Sequence, residues 1–274
     1  MQVSEIGELK KIALTLRQDI VKMTTAAGSG HPSTSLSVVE ILTALYFNTM
    51  RHDPKNPLWD DRDRFVLSKG HGAPALYSAM ARSGYFPLEQ LMTLRQFKSP
   101  LQGHPERQRL PGIEASSGSL GQGLSIGIGM ALAARLDGKD FHTYVVMGDG
   151  EMDEGQIWEA AMFASHYQLD NLTGILDRNG QQQDGWSKDV MNTEPLVDKW
   201  EAFGWNVLDI DGHDIQQVLN ALGEAKRKKG KPTILIARTV KGKGVSLLEN
   251  NTSFHGVPLN PEQMEKALLE LTQV

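Results

Sequence analysis

Short apolar runs alternate with segments of helical periodicity along most of this chain. Predicted strands at 65–67, 143–147, 173–177, 206–210 and 233–237 are separated by predicted helices. A parallel strand can join its neighbour only after the chain has crossed back along the sheet, so this alternation predicts parallel pairing through helical crossovers. We therefore predict an α/β fold, doubly wound, in which a mostly parallel sheet carries helices on both faces. With no internal repeat and no linker, residues 1–274 are predicted to form one domain.

The composition excludes several functional classes. The chain has no cysteine, which rules out disulfides, thiolate nucleophiles and cysteine-ligated metals. Its net charge of −5 gives no basic surface for nucleic acid, and the basic run at 226–231 fits the solvated end of a helix. Residues 1–11 are too polar for a signal peptide, and no run approaches the ~20 apolar residues of a membrane span. The expected location is the cytoplasm, with neither nucleic acid nor a membrane as a partner.

Two of the predicted strands run into polar loops flanked by glycine. Asp149 follows one of these strands, and Asn179 follows the next strand along the chain. Since the carboxyl ends of neighbouring parallel strands meet at one edge of a sheet, both side chains are expected to direct hard oxygen ligands at one point, as Mg²⁺ or Ca²⁺ requires. Gly148 and Gly150 are expected to permit a sharp turn and the approach of a bulky anion. Taken alone, an Asp-Gly turn is also a common way to end a strand.

Four of the eight histidines stand directly before Pro or Gly, at His31, His71, His104 and His255. A single histidine in such a loop is more often a solvated surface residue. Four in similar settings indicate a polar site assembled from several loops. Their spacing does not suit zinc, and cysteine is absent, so a diphosphate or a sugar phosphate is the better partner for them.

The segment at 119–136 has helical periodicity but contains Gly121, Gly123, Gly127 and Gly129. Each glycine costs about 1 kcal/mol relative to alanine in a helix interior. Two explanations stay open: close packing against a neighbouring element, and close approach by the ring of a ligand. The long loop before this segment is rich in Pro, Gly and His, and loops of that length usually have a functional task.

Short motifs occur in a fixed order along the chain, and together they carry a family resemblance. They are SGHP at 29–32, LSKGHG at 67–72, GHPE at 103–106, GSLGQG at 118–123, GDGEMDEG at 148–155, DRNG at 177–180 and HGVPL at 255–259. This set resembles the amino-terminal part of transketolase, which binds the diphosphate of its cofactor. The resemblance extends from about residue 9 to residue 259. It implies thiamine diphosphate and Mg²⁺, or Ca²⁺ in its place, as cofactors.

The resemblance also assigns roles to individual residues. The metal ligands would be the side chains of Asp149 and Asn179 and the backbone carbonyl of Gln181. The other cofactor-binding residues would be His71, His255 and Gly150 beside the diphosphate, and Gly118 and Leu120 against the aminopyrimidine. The residues with catalytic roles would be His31 and His104, which line the channel of the donor substrate and can move protons there, together with His255 and with Glu154 at a subunit interface.

The sequence departs from the family pattern at three positions. Ser119 stands where Pro is common, Asp153 stands where Gln is usual, and Trp186 is unexpected after Asp-Gly. None of them is a proposed ligand. We expect any consequence to fall on substrate choice and not on cofactor binding.

The activity implied by the resemblance is the transfer of a two-carbon ketol unit from a ketose phosphate to an aldose acceptor, as in pentose phosphate metabolism. In this family a glutamate on a separate pyrimidine-binding domain activates the thiamine ring, and the stretch after residue 257 is too short for that domain. We therefore expect a partner, the carboxy-terminal subunit of a split transketolase, in an assembly with two chains of each kind. The alternatives are a carboligase like deoxyxylulose-phosphate synthase or dihydroxyacetone synthase, and a non-catalytic regulatory module that binds Mg²⁺ and diphosphate.

Overall fold

A computed structural model describes residues 3–272 and places a five-stranded parallel sheet at the centre of the chain. The strands are β1 (Arg64–Leu67), β2 (Thr143–Gly148), β3 (Leu172–Arg178), β4 (Asn206–Asp211) and β5 (Thr233–Arg238). Their order across the sheet is β1-β2-β3-β5-β4, and each neighbouring pair is parallel. The parallel α/β sheet predicted from the alternating pattern is confirmed.

Helices surround this sheet and make most of the connections between its strands. They are α1 (Ile6–Ala27), α2 (Pro32–Leu36), α3 (Val39–Ala44), α4 (Ala73–Ser83), α5 (Gln122–Leu136), α6 (Gly155–His166), α7 (Ser187–Val190), α8 (Leu196–Ala202), α9 (Ile215–Arg227) and α10 (Pro261–Leu271). Short helical turns occur at Leu45–Thr49, Gly70–Gly72, Leu88–Thr93, Gly150–Asp153 and Thr252–Phe254. Among residues 3–272, no helix combines the length and the apolar character that a membrane crossing needs.

Both faces of the sheet are buried. Successive side chains of a strand point to opposite faces and therefore enter different apolar clusters. In β2, Tyr144 and Val146 belong to the apolar cluster formed with α1, α3, α4 and α9. Val145 and Met147 belong to the second cluster, formed with α5, α6 and α8. Burial on both faces explains why β2 is an almost continuous apolar run and does not alternate with polar residues.

Helix α5 begins later than the sequence pattern predicts. It starts at Gln122 and not at residue 119, because Gly118 and Gly121 have φ values of 147° and 82°, which helical residues cannot adopt. Within the helix, a Cβ on Gly123 would lie 2.4 Å from the side chain of Ser68, and one on Gly127 would lie 2.4 Å from Val145. Close packing against the sheet therefore explains these two helical glycines.

A pair of alanine substitutions in α5 tests this packing argument. We expect Gly127→Ala to lower the free energy of unfolding by about 1–3 kcal/mol, because the new methyl group has no room beside β2. Gly129 is exposed, and a Cβ there would meet nothing within 4 Å, so Gly129→Ala should raise that free energy by up to about 1 kcal/mol. Urea unfolding measures both. Equal effects at the two positions would contradict the packing explanation.

Candidate active site

A cleft of about 400 Å³ lies at the carboxyl edge of the sheet. Gly148 at the end of β2 pairs with Asp177 of β3, so the loops after these two strands open into the same space. Every residue predicted to bind the cofactor or the metal, or to act in catalysis, lines this cleft: His31, His71, His104, Gly118, Leu120, Asp149, Gly150, Glu154, Asn179, Gln181 and His255. The structure therefore brings the whole predicted set together. The roles of the individual residues stay predictions.

Asp149 and Asn179 offer oxygen ligands from neighbouring loops, and both are buried. Nδ2 of Asn179 donates to Asp177 at 3.0 Å, which fixes the amide so that Oδ1 lies on the other side, where it accepts from the Gln181 N–H at 3.1 Å. Burial raises the pKa of Asp149 to about 7, although the N–H of Gly180 donates to its carboxylate. A bound cation would offset that cost of burial. A carboxylate beside an oriented amide oxygen thus suits Mg²⁺ or Ca²⁺.

The two glycines beside Asp149 lie where β2 runs into the helical turn Gly150–Asp153. Neither Gly148 nor Gly150 has a positive φ, so this turn does not depend on a backbone conformation that favours glycine. A Cβ on Gly150 would instead lie 2.7 Å from the Cβ of Gln182. Glycine is needed at residue 150 because another loop of the cleft packs directly over it. The approach of an anion to the Gly150 backbone stays a prediction.

Three of the predicted histidines form a cluster on one wall of the cleft. The ring centroids of His31 and His71 are 5.3 Å apart, those of His31 and His255 are 5.3 Å apart, and those of His71 and His255 are 5.5 Å apart. Burial lowers the pKa of His31 to about 4 and that of His255 to about 3, and it lowers the pKa of His71 well below its usual value. The three imidazoles are therefore neutral at neutral pH, and each can donate one hydrogen bond and accept another.

The mouth of the cleft carries the other predicted residues. His104 is exposed, and a Cβ on Gly118 would lie 3.2 Å from its ring, so glycine lets the imidazole lie against the backbone. Leu120 is half-buried beside this loop, and Glu154 is exposed at the start of α6. Exposed groups at the mouth are placed where a substrate or another chain can reach them.

A buried ion pair between Lys69 and Asp177 was missed by sequence reasoning. The ammonium group of Lys69 contacts Asp177, and both side chains are almost completely buried. Burial by itself raises the pKa of Asp177, but the charge of Lys69 and hydrogen bonds from Ser37 and Thr239 bring it below its usual value. Lys69 occupies the variable position of the LSKGHG motif, so the motif gave no signal for it.

A second buried acid, Glu151, connects three segments that border the cleft. Its carboxylate accepts from the Ser68 hydroxyl, from the Gly121 N–H at 2.8 Å and from the Gly148 N–H at 3.1 Å. Burial raises its pKa. Nothing in the sequence marks Glu151, because an acidic residue directly after an Asp-Gly turn reads as a solvated loop residue.

Lys241 is the remaining cation of the cleft that sequence reasoning missed. Its Nζ lies 2.9 Å from Nδ1 of His255 and donates to the carbonyl of Gln182 at 3.4 Å. Burial lowers its pKa to about 8, and the charge of Lys69 acts in the same direction. The sequence did contain a signal for Lys241, because it lies in a glycine-containing turn just after the predicted strand at 233–237, and such loops line the ligand-binding edge of a parallel sheet.

Comparisons with known proteins identify the family. Residues 9–271 match the model of the transketolase thiamine diphosphate binding domain. The chain is 47% identical over 264 residues to the 6-deoxy-6-sulfo-D-fructose transketolase subunit of Clostridium sp. (strain MSTE9), and the alignment covers 96% of each chain. It is 45% identical over 258 residues to one of the subunits of apulose-4-phosphate transketolase from Phocaeicola vulgatus, over 94% of this chain and 91% of that protein. The crystal structure of transketolase from Campylobacter jejuni superposes with a TM-score of 0.92 and 37% sequence identity. The chain belongs to the transketolase family.

This membership confirms the resemblance carried by the motifs, and the matched domain supports thiamine diphosphate as the cofactor. The chain covers 43% of the Campylobacter jejuni transketolase structure, which in turn covers 98% of this chain. The two relatives named as transketolase subunits have nearly the same extent as this chain. The similarity is therefore to one part of a single-chain transketolase and to the whole of a subunit.

Proposed function

We propose that this chain is the cofactor-binding, amino-terminal subunit of a split transketolase and that its residues form one domain. The complex would move a two-carbon ketol unit from a ketose donor to an aldose acceptor. Support comes from the two relatives named as transketolase subunits, which align with this chain over 96% and 91% of their own lengths.

One observation carries this proposal. A single cleft combines the oxygen ligands of Asp149 and Asn179 with three neutral imidazoles and the ammonium group of Lys241. A metal-bound diphosphate carries dense negative charge and many acceptor oxygens, so it needs a cation, hydrogen-bond donors and a hard metal ion within a few ångströms of one another. We propose Asp149, Asn179 and the Gln181 carbonyl as ligands of Mg²⁺, with the Gly150 N–H, His71, His255 and Lys241 beside the diphosphate.

Thiamine diphosphate, when bound, supplies the nucleophilic carbon that accepts the two-carbon unit. The residues of this chain would bind, orient and exchange protons around it. His31 and His255 are half-buried, and burial lowers the pKa of each ring, so either neutral imidazole would accept a hydrogen bond from a ketose hydroxyl or donate one to it. His104 at the mouth would bind the substrate, and Gly118 and Leu120 would contact the aminopyrimidine.

We propose that the partner is a carboxy-terminal subunit with the pyrimidine-binding domain, in an assembly of two chains of each kind. It would supply the glutamate that activates the thiamine ring and complete the pocket for the substrate. The exposed position of Glu154 at the mouth of the cleft supports a role for this residue at the contact between subunits.

The donor sugar is the part of the function most open to variation. The names of the two relatives specify 6-deoxy-6-sulfo-D-fructose and apulose 4-phosphate, so a ketose that carries a sulfonate or a phosphate is the donor class we propose. Ser119, Asp153 and Trp186 are the departures from the family pattern to test for donor choice. A carboligase of the deoxyxylulose-phosphate or dihydroxyacetone synthase type stays the nearest alternative.

A reconstitution experiment tests the proposed function. The chain is purified alone and together with the product of the adjacent reading frame, and both preparations receive thiamine diphosphate and Mg²⁺. Ketol transfer is then assayed with xylulose 5-phosphate, 6-deoxy-6-sulfofructose and apulose 4-phosphate as donors. Activity only in the mixture supports the proposal. Cofactor binding without turnover for any donor would favour the non-catalytic regulatory module.

A further inference from the structure

The loop after β5 carries Lys241 into the cleft, and contacts on both sides of Lys241 hold it in place. On one side, the Val240 N–H donates to Nε2 of His213 at 2.8 Å. On the other side, the carbonyl of Lys243 accepts from Nε of Arg17 at 3.1 Å. His213 and Arg17 both lie outside the cleft, His213 on the turn before α9 and Arg17 on α1.

The hydrogen bonds of His213 indicate which tautomer its neutral ring adopts. Nε2 accepts from a backbone N–H, so it carries no proton, and the ring proton of the neutral form must be on Nδ1. Nδ1 lies 2.9 Å from a carboxylate oxygen of Glu40 and donates to it. The imidazole is thus a directional link between Glu40 and the Val240 backbone, and it works only in this tautomer.

Glu40 is in turn held by Arg17. Their side chains are buried and make two contacts, NH1 to Oε1 at 2.7 Å and NH2 to Oε2 at 2.9 Å. Burial by itself raises the pKa of Glu40, but the charge of Arg17 and the hydrogen bond from His213 bring it down to about 2. A carboxylate that stays ionised keeps its preference for a donor, and so keeps the ring proton of His213 on Nδ1.

We propose that Arg17, Glu40 and His213 form a positioning relay that fixes the loop after β5 and thereby sets the Lys241 ammonium group in the cofactor cleft. This inference rests on the proposed function, because it assigns Lys241 to the residues that bind the diphosphate. None of the three relay residues lines the cleft itself, so they are positioning residues and act through Lys241.

Two substitutions at His213 separate positioning from general stability. A glutamine amide extends about as far from Cβ as Nε2 of histidine, and so it can accept from the Val240 N–H. An asparagine amide extends only as far as Nδ1, and so it can donate to Glu40 but leaves the Val240 N–H without its acceptor. Both variants lose the ring, and both remain polar. A purely structural role predicts that they bind the cofactor equally well.

The test uses the full chain and calorimetric titration with thiamine diphosphate in the presence of Mg²⁺. We expect His213→Asn to raise the Kd about tenfold, equivalent to ~1.4 kcal/mol, and His213→Gln to stay close to the unsubstituted chain. Thermal unfolding of the two variants should be similar. In a Lys241→Met background, His213→Asn should cause no further loss, because the relay then has no ammonium group to position.

The outcomes distinguish the relay from the proposed function. If the unsubstituted chain binds no thiamine diphosphate, alone or with its partner, the proposed function is wrong. The relay would then be tested by the NMR resonance of the Lys241 backbone amide. That resonance should move in His213→Asn and stay in His213→Gln. Two results would overturn the relay. The first is that His213→Asn binds thiamine diphosphate as tightly as the unsubstituted chain. The second is that His213→Asn raises the Kd by the same factor in the Lys241→Met background.

Discussion

Replacing Asp149 with Asn should reduce the affinity for Mg²⁺ and thiamine diphosphate by at least about a hundredfold. Asparagine keeps the size of the side chain but removes the charge that a divalent cation requires from this donor pair. A loss of this size is expected because, in the site we propose, one metal ion next to Asn179 would hold the diphosphate, and the two would bind together. Calorimetric titration of the cofactor, with and without Mg²⁺, measures both affinities.

The fold of the Asp149→Asn variant should be intact, because burial raises the pKa of Asp149 to about 7 and thus opposes its charged form in the metal-free chain. Thermal unfolding without metal should therefore show no loss of stability. Asp189→Asn is the matched control, since Asp189 is an exposed aspartate on α7 that lies outside the cleft. If both variants bind the cofactor as the unsubstituted chain does, Asp149 is not a ligand.

Replacing Lys69 with Met should destabilise the chain by about 3–5 kcal/mol, which is the largest effect on stability that we expect from one substitution. The methionine fills most of the same volume but leaves the buried carboxylate of Asp177 without its counter-ion. A protein of ordinary stability would lose a large part of its free energy of unfolding. Urea unfolding at neutral pH gives the value.

A second substitution tests the electrostatic cause. Combining Lys69→Met with Asp177→Asn should recover a substantial part of the lost stability, because no uncompensated charge is then buried. The surface pair formed by Lys11 and Glu8 supplies a matched control, and Lys11→Met should cause no measurable change. A double variant no more stable than Lys69→Met alone would show that packing, and not charge, holds this position.

Much of the fold and the set of residues around the cleft could be predicted because they depend on local signals. Buried parallel strands such as β2 are apolar throughout, and the loops after such strands meet at one edge of the sheet. That rule was enough to predict that Asp149 and Asn179 lie close together. The positions of His31 and His255 followed from breaker residues, since a histidine beside Pro or Gly rarely fills a core.

The rest depended on contacts between distant segments. Lys69 and Glu151 are buried because other parts of the chain supply their partners, and a single charged residue in a motif does not show whether a partner exists. The glycines of α5 posed the same difficulty, because the role of Gly127 is visible only once Val145 of β2 lies against it. The contacts of His213 join α1, α3 and the turn before α9, and no sequence pattern predicts such a connection.

The bonds made by Glu151 and Asp177 have a consequence for the cost of binding. Each of these buried carboxylates gathers donors from several separate segments, so the walls of the cleft are already joined to one another before any ligand arrives. The conformational entropy needed to align those segments is therefore lost during folding and not during association. A ligand that enters this preorganised cleft can convert more of its contact energy into affinity.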